Sequence, residues 1–321
     1  MTRQVVQKYT ALIFGCMIML VAITLMSQEA KNEIAAERRL FDLDATESSI
    51  TAIEISRGDA RVAMVRTNSV WQIDHHEQLK GYPVDPLAMA RLIRFVLAAN
   101  YLEKKTNRPE KLQKLGLGLA VDQSDAAGPV LLSVNMMSKV TRVLIGDLSQ
   151  SGQGTYIRLP NENQVWLVSE QLELPVDVLA WVPPVFLNVD RAEIKRVTFT
   201  SPLGEKVVVS GSDETESAVI ENMPRDAKLA YDSTPDSAMR ALVNLRMLEV
   251  RRADHHSWDS AATARFELTS GSVILLRCAE INGSYWLLVD RDGLTDRWSY
   301  AVDQYRFTQL TKEMRDYLAL K

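Results

Sequence analysis

The chain carries one strand-like pattern twice, as Ile50-Thr51-Ala52-Ile53-Glu54-Ile55 and again as Ile194-Lys195-Arg196-Val197-Thr198-Phe199. In both stretches the first, fourth and sixth residues are apolar, which is typical of a strand that buries one face. A second strand-like run follows each stretch, at 61–65 and 206–209. We interpret the repetition as two tandem copies of one unit. Chance similarity is the alternative, because the identical residues are few and many lie in turns.

Both copies then show the same signal for the start of a helix. Asp85-Pro86 and Thr234-Pro235 each place a capping residue before a proline. Proline is favourable at the first helical position, because its missing N–H would have no helical partner there. We expect the first helix to run to about Tyr101. The predicted apolar faces are Met89, Leu92, Ile93, Val96 and Leu97 in the first copy, and Ala238, Leu242, Leu245 and Leu248 in the second.

Further strand-like runs follow each helix. They lie at 130–137, 140–145, 155–159 and 165–168 in the first copy, and at 264–269, 273–278, 285–289 and 298–302 in the second. The first copy has an additional run, Val70-Trp71-Gln72-Ile73, before its helix, and a last helix is expected at about 304–319. The predicted fold class is therefore α+β. An N-terminal transmembrane helix is followed by two copies of a sheet-rich unit, strand–strand–helix–four strands, at 46–186 and 187–321.

Residues 9–26 form a run of 18 residues without Asp, Glu, Lys or Arg. A helix of that length spans about 27 Å, close to the ~30 Å hydrocarbon core of a bilayer. We predict a single-pass anchor that contacts the lipid bilayer through residues 9–26. Residues 1–8 carry Arg3 and Lys8 and are predicted to stay in the cytoplasm, with the body on the other side. Basic residues beyond the run count against this orientation: Lys31, Arg38 and Arg39.

A cleaved signal peptide is the other interpretation of residues 9–26. The run is longer than the apolar core of most signal peptides, and Leu25-Met26-Ser27-Gln28 offers no small-x-small cleavage site. Residues 27–45 lack Gly and Pro and are rich in Ala, Glu and Arg, so we predict a solvated helical stalk there.

The composition is that of a globular protein, and its charge pattern argues against nucleic-acid binding. Of 321 residues, 46% are hydrophobic and 24% are charged, and the net charge is −4 with both signs interspersed. A nucleic-acid-binding protein would present a basic face instead. The two cysteines, Cys16 in the apolar run and Cys278 in a predicted strand, are not expected to form a disulfide.

No motif predicts a catalytic, cofactor-binding or metal-binding residue. The four histidines form two adjacent pairs, His75-His76 and His255-His256, and neighbouring side chains point apart, so neither pair is a ligand set alone. Asp290 and Asp292 resemble part of a calcium loop, but Gly293 stands too early, and an Asp-Gly hairpin turn is the better interpretation. Leu115-Gly116-Leu117-Gly118 lacks the lysine of a phosphate loop and is predicted to be a turn. Arg246, Arg251 and Arg252 suggest an anion site or simply solvated charge.

An ordered set of short motifs resembles a bacterial family known as domain of unknown function 4340. The motifs are Val70-Trp71-Gln72-Ile73, Tyr82-Pro83-Val84-Asp85, Leu115-Gly116-Leu117, Leu144-Ile145-Gly146-Asp147, Gly154-Thr155-Tyr156-Ile157-Arg158 and Val165-Trp166-Leu167-Val168. The second copy matches more loosely: it lacks the tryptophan, near whose place Val219 falls, and the Leu-Gly-Leu run. The resemblance implies one N-terminal anchor helix in the bacterial inner membrane, a periplasmic body and an accessory role beside gliding-motility-type ABC transporters. It implies no active site.

Three functions follow as hypotheses. The leading one is a non-enzymatic, membrane-anchored partner of an ABC permease and ATPase complex. The second is a solute- or glycan-binding module that uses a cleft between the repeats, which clustered Trp and Tyr side chains would favour. The third is a hydrolase that uses the histidines with Asp290 and Asp292, and it requires those residues to converge.

Overall fold

The computed structural model describes residues 38–41, 45–118, 128–137, 139–211 and 217–319, which form two compact units. The first contains the described residues up to His76 together with Lys80–Val182, and the second contains Glu77–Leu79 and the described residues from Pro183 onward. Within these residues, no helix has the length and apolar character needed to cross a membrane. The predicted span at 9–26, the tail at 1–8 and most of the predicted stalk lie outside the described residues.

The first unit is built on an antiparallel sheet of eight strands. The strands are β1 Ile50–Arg57, β2 Ala60–Thr67, β3 Val70–Ile73, β4 Tyr101–Lys104, β5 Val130–Met136, β6 Lys139–Leu148, β7 Thr155–Arg158 and β8 Val165–Val168. Helix α1, Pro86–Ala98, connects β3 to β4, and the single turn α2, Pro109–Leu112, lies between β4 and β5. A 3-10 turn at Val178–Trp181 ends the unit.

The second unit has another antiparallel sheet of eight strands and a separate two-stranded pair. The pair is β9 Val185–Leu187 with β13 Leu245–Arg246. The sheet consists of β10 Ile194–Thr200, β11 Lys206–Gly211, β12 Ala218–Ile220, β14 Glu249–Arg252, β15 Ala262–Leu268, β16 Val273–Ile281, β17 Ser284–Arg291 and β18 Leu294–Val302. The helices are α3 Thr234–Met239 and α4 Gln304–Leu310.

The two sheets have the same strand order. It is β3-β2-β1-β5-β6-β7-β8-β4 in the first and β12-β11-β10-β15-β16-β17-β18-β14 in the second. When β10 is matched to β1, every strand takes the place of its counterpart, so the predicted internal duplication is confirmed. Each eight-stranded sheet has three strands before the helix of its unit and five after it. The sequence pattern predicted four strands after each helix, and it predicted the third strand before the helix only in the first unit.

Two irregular details recur at matching positions. A 3-10 turn precedes the first strand of each sheet, and its last residue accepts a hydrogen bond from the backbone N–H just before the turn: Ser49 from Thr46 (3.1 Å) and Glu193 from Asp190 (3.2 Å). The pairing register then shifts after Ile50 in β1 and after Ile194 in β10. Because bulges depend on local sequence, a shared bulge supports common descent of the two units.

Each unit also begins with a short extended segment, which forms backbone hydrogen bonds with the residues that follow the helix of that unit. In the first unit this lead-in segment is residues 38–41: Leu40 N–H donates to the Ala99 carbonyl (2.8 Å), and Tyr101 N–H donates to the Arg38 carbonyl (2.9 Å). In the second unit β9 pairs with β13 in the same way. Leu40 and Phe41 are buried, and Phe41 contacts Phe95 edge-on. At these positions the predicted solvated stalk is therefore wrong, because burying two apolar side chains stabilises an extended, packed segment.

The core of the first unit lies on one face of its sheet. β5 alternates strictly, with Val130, Leu132, Val134 and Met136 buried. Helix α1 buries most of its predicted apolar face, together with Ala88 and Phe95. Asp85 caps α1 as predicted, since its carboxylate accepts a hydrogen bond from Leu87 N–H (2.9 Å). In the second unit Ser233, not Thr234, precedes α3.

Three helices are shorter than the sequence pattern indicated. Tyr101 already belongs to β4. Beyond Met239 the chain turns at Asn244 (φ +52°), Leu245 enters β13 and Leu248 is exposed. Helix α4 ends at Leu310, and residues 317–319 pair with 228–230. In each case backbone pairing with another segment replaces hydrogen bonds within the helix, so tertiary contacts override helical periodicity.

Candidate functional site

The first unit contains an open cleft of about 1080 Å³, which we call the unit-1 cleft. One wall consists of the ends of three neighbouring strands, with Arg57, Val130 and Ile145. Helix α1 provides a second wall through Ala88, Arg91 and Leu92, and the chain after β8 provides a third at 171–176. The volume is at the upper end of the range for small-molecule sites, so a ligand of ordinary size fits.

Arg57 occupies a position on the core face of β1. Ile53 and Ile55 of that strand are buried, and Arg57 is the next residue on the same side because strand side chains alternate. β1 pairs Ile55 with Leu132, and β5 pairs Val130 with Ile145, so Arg57 lies level with both of these apolar residues. A guanidinium thus takes the place of the next aliphatic side chain at the edge of the core.

Arg57 and Arg91 carry no counter-charge among the described residues. The Arg57 Nε atom is buried without a hydrogen-bond partner, and neither guanidinium forms an ion pair there. By contrast, Arg94 on the same helix pairs with Glu170 (3.1 Å). A half-buried guanidinium without a partner loses hydration and gains little in return, so the free cleft leaves Arg57 poorly satisfied.

Two carboxylates, Asp147 and Glu173, also line the unit-1 cleft, and both are exposed. Asp147 follows β6 residue Ile145 by two positions, and β6 is two strands from β1. At ~4.8 Å per strand and ~3.3 Å per residue along a strand, the backbones of Arg57 and Asp147 are about 12 Å apart. The cleft therefore has a cationic side at β1 and an acidic side at β6.

Several of the motifs that resemble the family assemble beside this cleft. Leu112, Leu117 and Val165 form a small buried cluster, against which Leu144 and Tyr156 pack. Gly146 lets this cluster close: a Cβ atom there would clash with the Leu115 carbonyl and stand 2.7 Å from Leu117 Cγ. Gly116 (φ +68°) makes the predicted turn, and with Gly146 it lines the cleft.

Hydrogen bonds of Trp181 hold the third wall of the cleft, the chain after β8. Its indole N–H donates to the Pro175 carbonyl (2.9 Å), and its own carbonyl accepts from Asp85 N–H (2.7 Å). Asp177 caps the 3-10 turn by accepting from Leu179 N–H (3.0 Å). These bonds join the segment after β8 to the start of α1, so the cleft is held on two sides by fixed elements.

The second unit has a smaller cavity, about 500 Å³, at the equivalent sheet end. It lies where β10 ends, β15 begins and β16 ends, at Ser201, Ala262 and Cys278. Ser201 corresponds to Arg57 when Ile194 is matched to Ile50. The charged residues that line it, Glu280 and Glu313, are both acidic. The duplication has kept the position of the cavity and changed its charge.

The histidines do not form a site. Within the described part of the chain, no group of three or more His, Cys, Asp and Glu side chains could hold a metal ion. His75 and His255 are exposed. His256 packs against Trp286 with ring centres 4.4 Å apart, and its Nε2 atom is buried without a hydrogen-bond partner. Burial, followed by Arg251 and His255, lowers the pKa of His256.

The two other candidate groups are structural. Asp290 accepts hydrogen bonds from Gly293 N–H (2.8 Å) and the Thr295 hydroxyl (2.9 Å), which confirms the predicted hairpin turn. Arg251 pairs with Glu249 (2.6 Å) and lies over Trp286, and Arg252 lies over Trp298. Arg251 is therefore already ion-paired within the protein, and both guanidinium groups lie over tryptophan rings.

The sequence contained a signal for Arg57 that the strand pattern obscured. The stretch Ile53-Glu54-Ile55-Ser56-Arg57 places a charge at the next inward position, whereas the Arg57-Gly58-Asp59 segment draws attention only as a turn. Arg91 and Glu173 have no such signal, because their role depends on which surface the chain after β8 covers.

Comparison with known protein families gives a match. The family model described as domain of unknown function, DUF4340, matches residues 71–267. These residues begin in β3 of the first unit and end in β15 of the second, so the matched region spans parts of both repeats. The matched region includes all residues that line the unit-1 cleft except Arg57. No curated protein matches the chain.

Proposed function

We propose that this chain, which belongs to the DUF4340 family of domains of unknown function, is a non-enzymatic accessory protein of a membrane complex. In this proposal residues 9–26 anchor it in the bacterial inner membrane with the N-terminus in the cytoplasm. The two sheet units lie in the periplasm and bind an ABC-type permease and ATPase complex. The alternative solute- or glycan-binding interpretation stays a prediction.

The observation that carries the proposal is the docking of residues 38–41 on the first unit. Leu40 and Phe41 are buried, and two backbone hydrogen bonds join the segment to Ala99 and Tyr101. The first unit is therefore attached directly to the chain that leads to the predicted anchor. A binding surface held near a bilayer meets an integral partner at about millimolar effective concentration, so a weak interface suffices.

Capture of the partner from the native bacterium tests the proposal. The full chain is cross-linked in intact cells and purified, next to a variant without residues 9–26. We expect a permease and its ATPase to be enriched with the full chain and lost with the deletion, while the deleted protein still folds. Equal enrichment with both chains would contradict the tethering role.

Single alanine substitutions are the matched controls, and the variants are His75→Ala, His76→Ala, His255→Ala, His256→Ala, Asp290→Ala and Asp292→Ala. At normal abundance each should restore the phenotype of a deletion strain, because none of these side chains belongs to a convergent site. If one of them abolishes function while the chain without residues 9–26 still complements, the hydrolase hypothesis replaces this proposal.

A further inference from the structure

We propose that the unit-1 cleft binds an organic anion, whose carboxylate or phosphate group contacts Arg57 and whose hydrocarbon part lies against Leu148, Val176 and Ala180. The inference goes beyond the accessory role and is independent of the identity of the membrane partner. It concerns a site to which no activity has been assigned.

The first argument is the state of Arg57. It stands on the core face of β1, its Nε atom is buried without a partner, and no carboxylate of the described residues pairs with it. A guanidinium offers several donors in one plane and binds carboxylate or phosphate by two parallel hydrogen bonds. An anion in the cleft would supply the partners that the described residues do not.

The second argument is the composition of the surrounding walls. Arg91 on α1 adds a second unpaired cation to the cleft. Aliphatic side chains form part of the remaining wall, with Leu148 and Val176 partly exposed and Ala180 exposed. Such a surface gains from contact with hydrocarbon and gains nothing from inorganic phosphate alone. The ligand therefore combines an anionic group with an apolar body.

The third argument concerns orientation. Asp147 and Glu173 line the same cleft without forming ion pairs among the described residues, and the backbone of Asp147 is about 12 Å from that of Arg57 by strand geometry. These carboxylates repel a second anionic group. A ligand with one charged end is thus bound in one direction. The second unit, with Ser201 in place of Arg57 and two glutamates in its cavity, lacks this arrangement and serves as an internal contrast.

Calorimetric titration of the full chain in a non-ionic detergent tests the inference. The probes are hexyl phosphate, inorganic phosphate, 1-hexanol and dihexanoyl phosphatidic acid. We expect hexyl phosphate to bind at least tenfold more tightly than either inorganic phosphate or hexanol. Tighter binding of dihexanoyl phosphatidic acid than of hexyl phosphate would identify a lipid as the source of the anion, and weaker binding would identify a free amphiphile.

The variants assign the site. Arg57→Gln should weaken hexyl phosphate binding at least tenfold without lowering the melting temperature, because it removes a charge that has no partner. Arg61→Gln is the matched control, since Arg61 is exposed on β2 and paired with Glu54, and it should bind like the wild type. If Arg57→Gln is poorly folded, Arg91→Gln takes its place, and a loss of at least threefold is expected.

Three results would overturn the inference. They are the absence of binding by both hexyl phosphate and dihexanoyl phosphatidic acid, equal affinity for hexyl phosphate and inorganic phosphate, and unchanged affinity in both Arg57→Gln and Arg91→Gln. Hydrogen exchange with bound hexyl phosphate gives the location. Protection should appear at 172–176 and 145–148, and protection confined to the second unit would also reject the site.

Discussion

At the scale of the residue, Gly146 shows how one missing side chain shapes the unit-1 cleft. Its Cα faces the Leu115 carbonyl and Leu117, and a methyl group added there would have to displace either the backbone or a packed leucine side chain. We expect Gly146→Ala to lower the free energy of unfolding by about 1–3 kcal/mol, as overpacked cores do. Gly211→Ala is the matched control, because its Cβ would lie 3.9 Å from the Met239 methyl group and should cost almost nothing. Thermal unfolding of both variants measures the difference, and equal melting temperatures would contradict the prediction.

His256 gives the second unit a stability that depends on pH. Its pKa is lowered in the folded protein, chiefly by burial, so the folded state takes up its proton at a lower pH than the unfolded state does. The contribution of neutral His256 is thus complete above the unfolded pKa of about 6.5 and declines as the pH falls below it.

Thermal unfolding at pH 8 and at pH 5.5 measures this contribution. The wild type should lose more stability on acidification than His256→Gln does. His75→Gln, at an exposed histidine of the first unit, is the matched substitution for comparison. If His256→Gln has the same pH dependence as the wild type, the pKa of His256 does not differ between the folded and unfolded states and the prediction is wrong.

At the scale of the element, the lead-in segment at 38–41 decides where the first unit begins. A chain that starts at Thr46 lacks the buried side chains of Leu40 and Phe41 and exposes the amide of Tyr101. We expect it to be about 2–5 kcal/mol less stable than a chain that starts at Arg38, from the loss of two apolar side chains and two hydrogen bonds.

Hydrogen exchange makes that prediction specific. The Tyr101 amide, which donates to the Arg38 carbonyl, should lose protection in the chain from Thr46, whereas the Ile53 amide in the middle of β1 should keep it. A chain from Arg38 with Leu40→Ser and Phe41→Ser should behave like the shorter one. If the chains from Arg38 and Thr46 have the same protection at Tyr101, the lead-in segment contributes no stability.

Strands were easier to predict than helix ends, and the reason is physical. Alternation is visible within a few residues, so strands such as Val165–Val168 were located from the pattern alone. The short edge strands β4, β12 and β14 have few alternating positions and were missed. The apolar spacing of Ala238, Leu242 and Leu245 fits a helix, yet Leu245 pairs with β9, a segment almost 60 residues away in the chain. Pairing between residues so far apart in the chain cannot be detected from a short stretch of sequence.

At the scale of the whole molecule, duplication was the most predictable property, because matching segments can be compared with each other. Equal residues at matching positions of the two copies can nevertheless have different roles. Gly154 and Gly283 both precede a strand, but Gly154 permits contact with the backbone of β8, whereas Gly283 (φ +76°) forms a tight turn with Asn282 (φ +53°). The cleft could not be predicted, since it requires the chain after β8, the start of α1 and three strand ends to meet.

The packing of residues 38–41 also sets the reach of the first unit. If residues 9–26 span the bilayer as predicted, the chain between that span and the packed segment is residues 27–37, eleven residues, and not the nineteen of the whole predicted stalk. Eleven residues extend at most about 37 Å, and about 17 Å when helical. In that arrangement the start of the first unit lies within this distance of the bilayer, which favours a partner embedded in the membrane over one free in the surrounding solution.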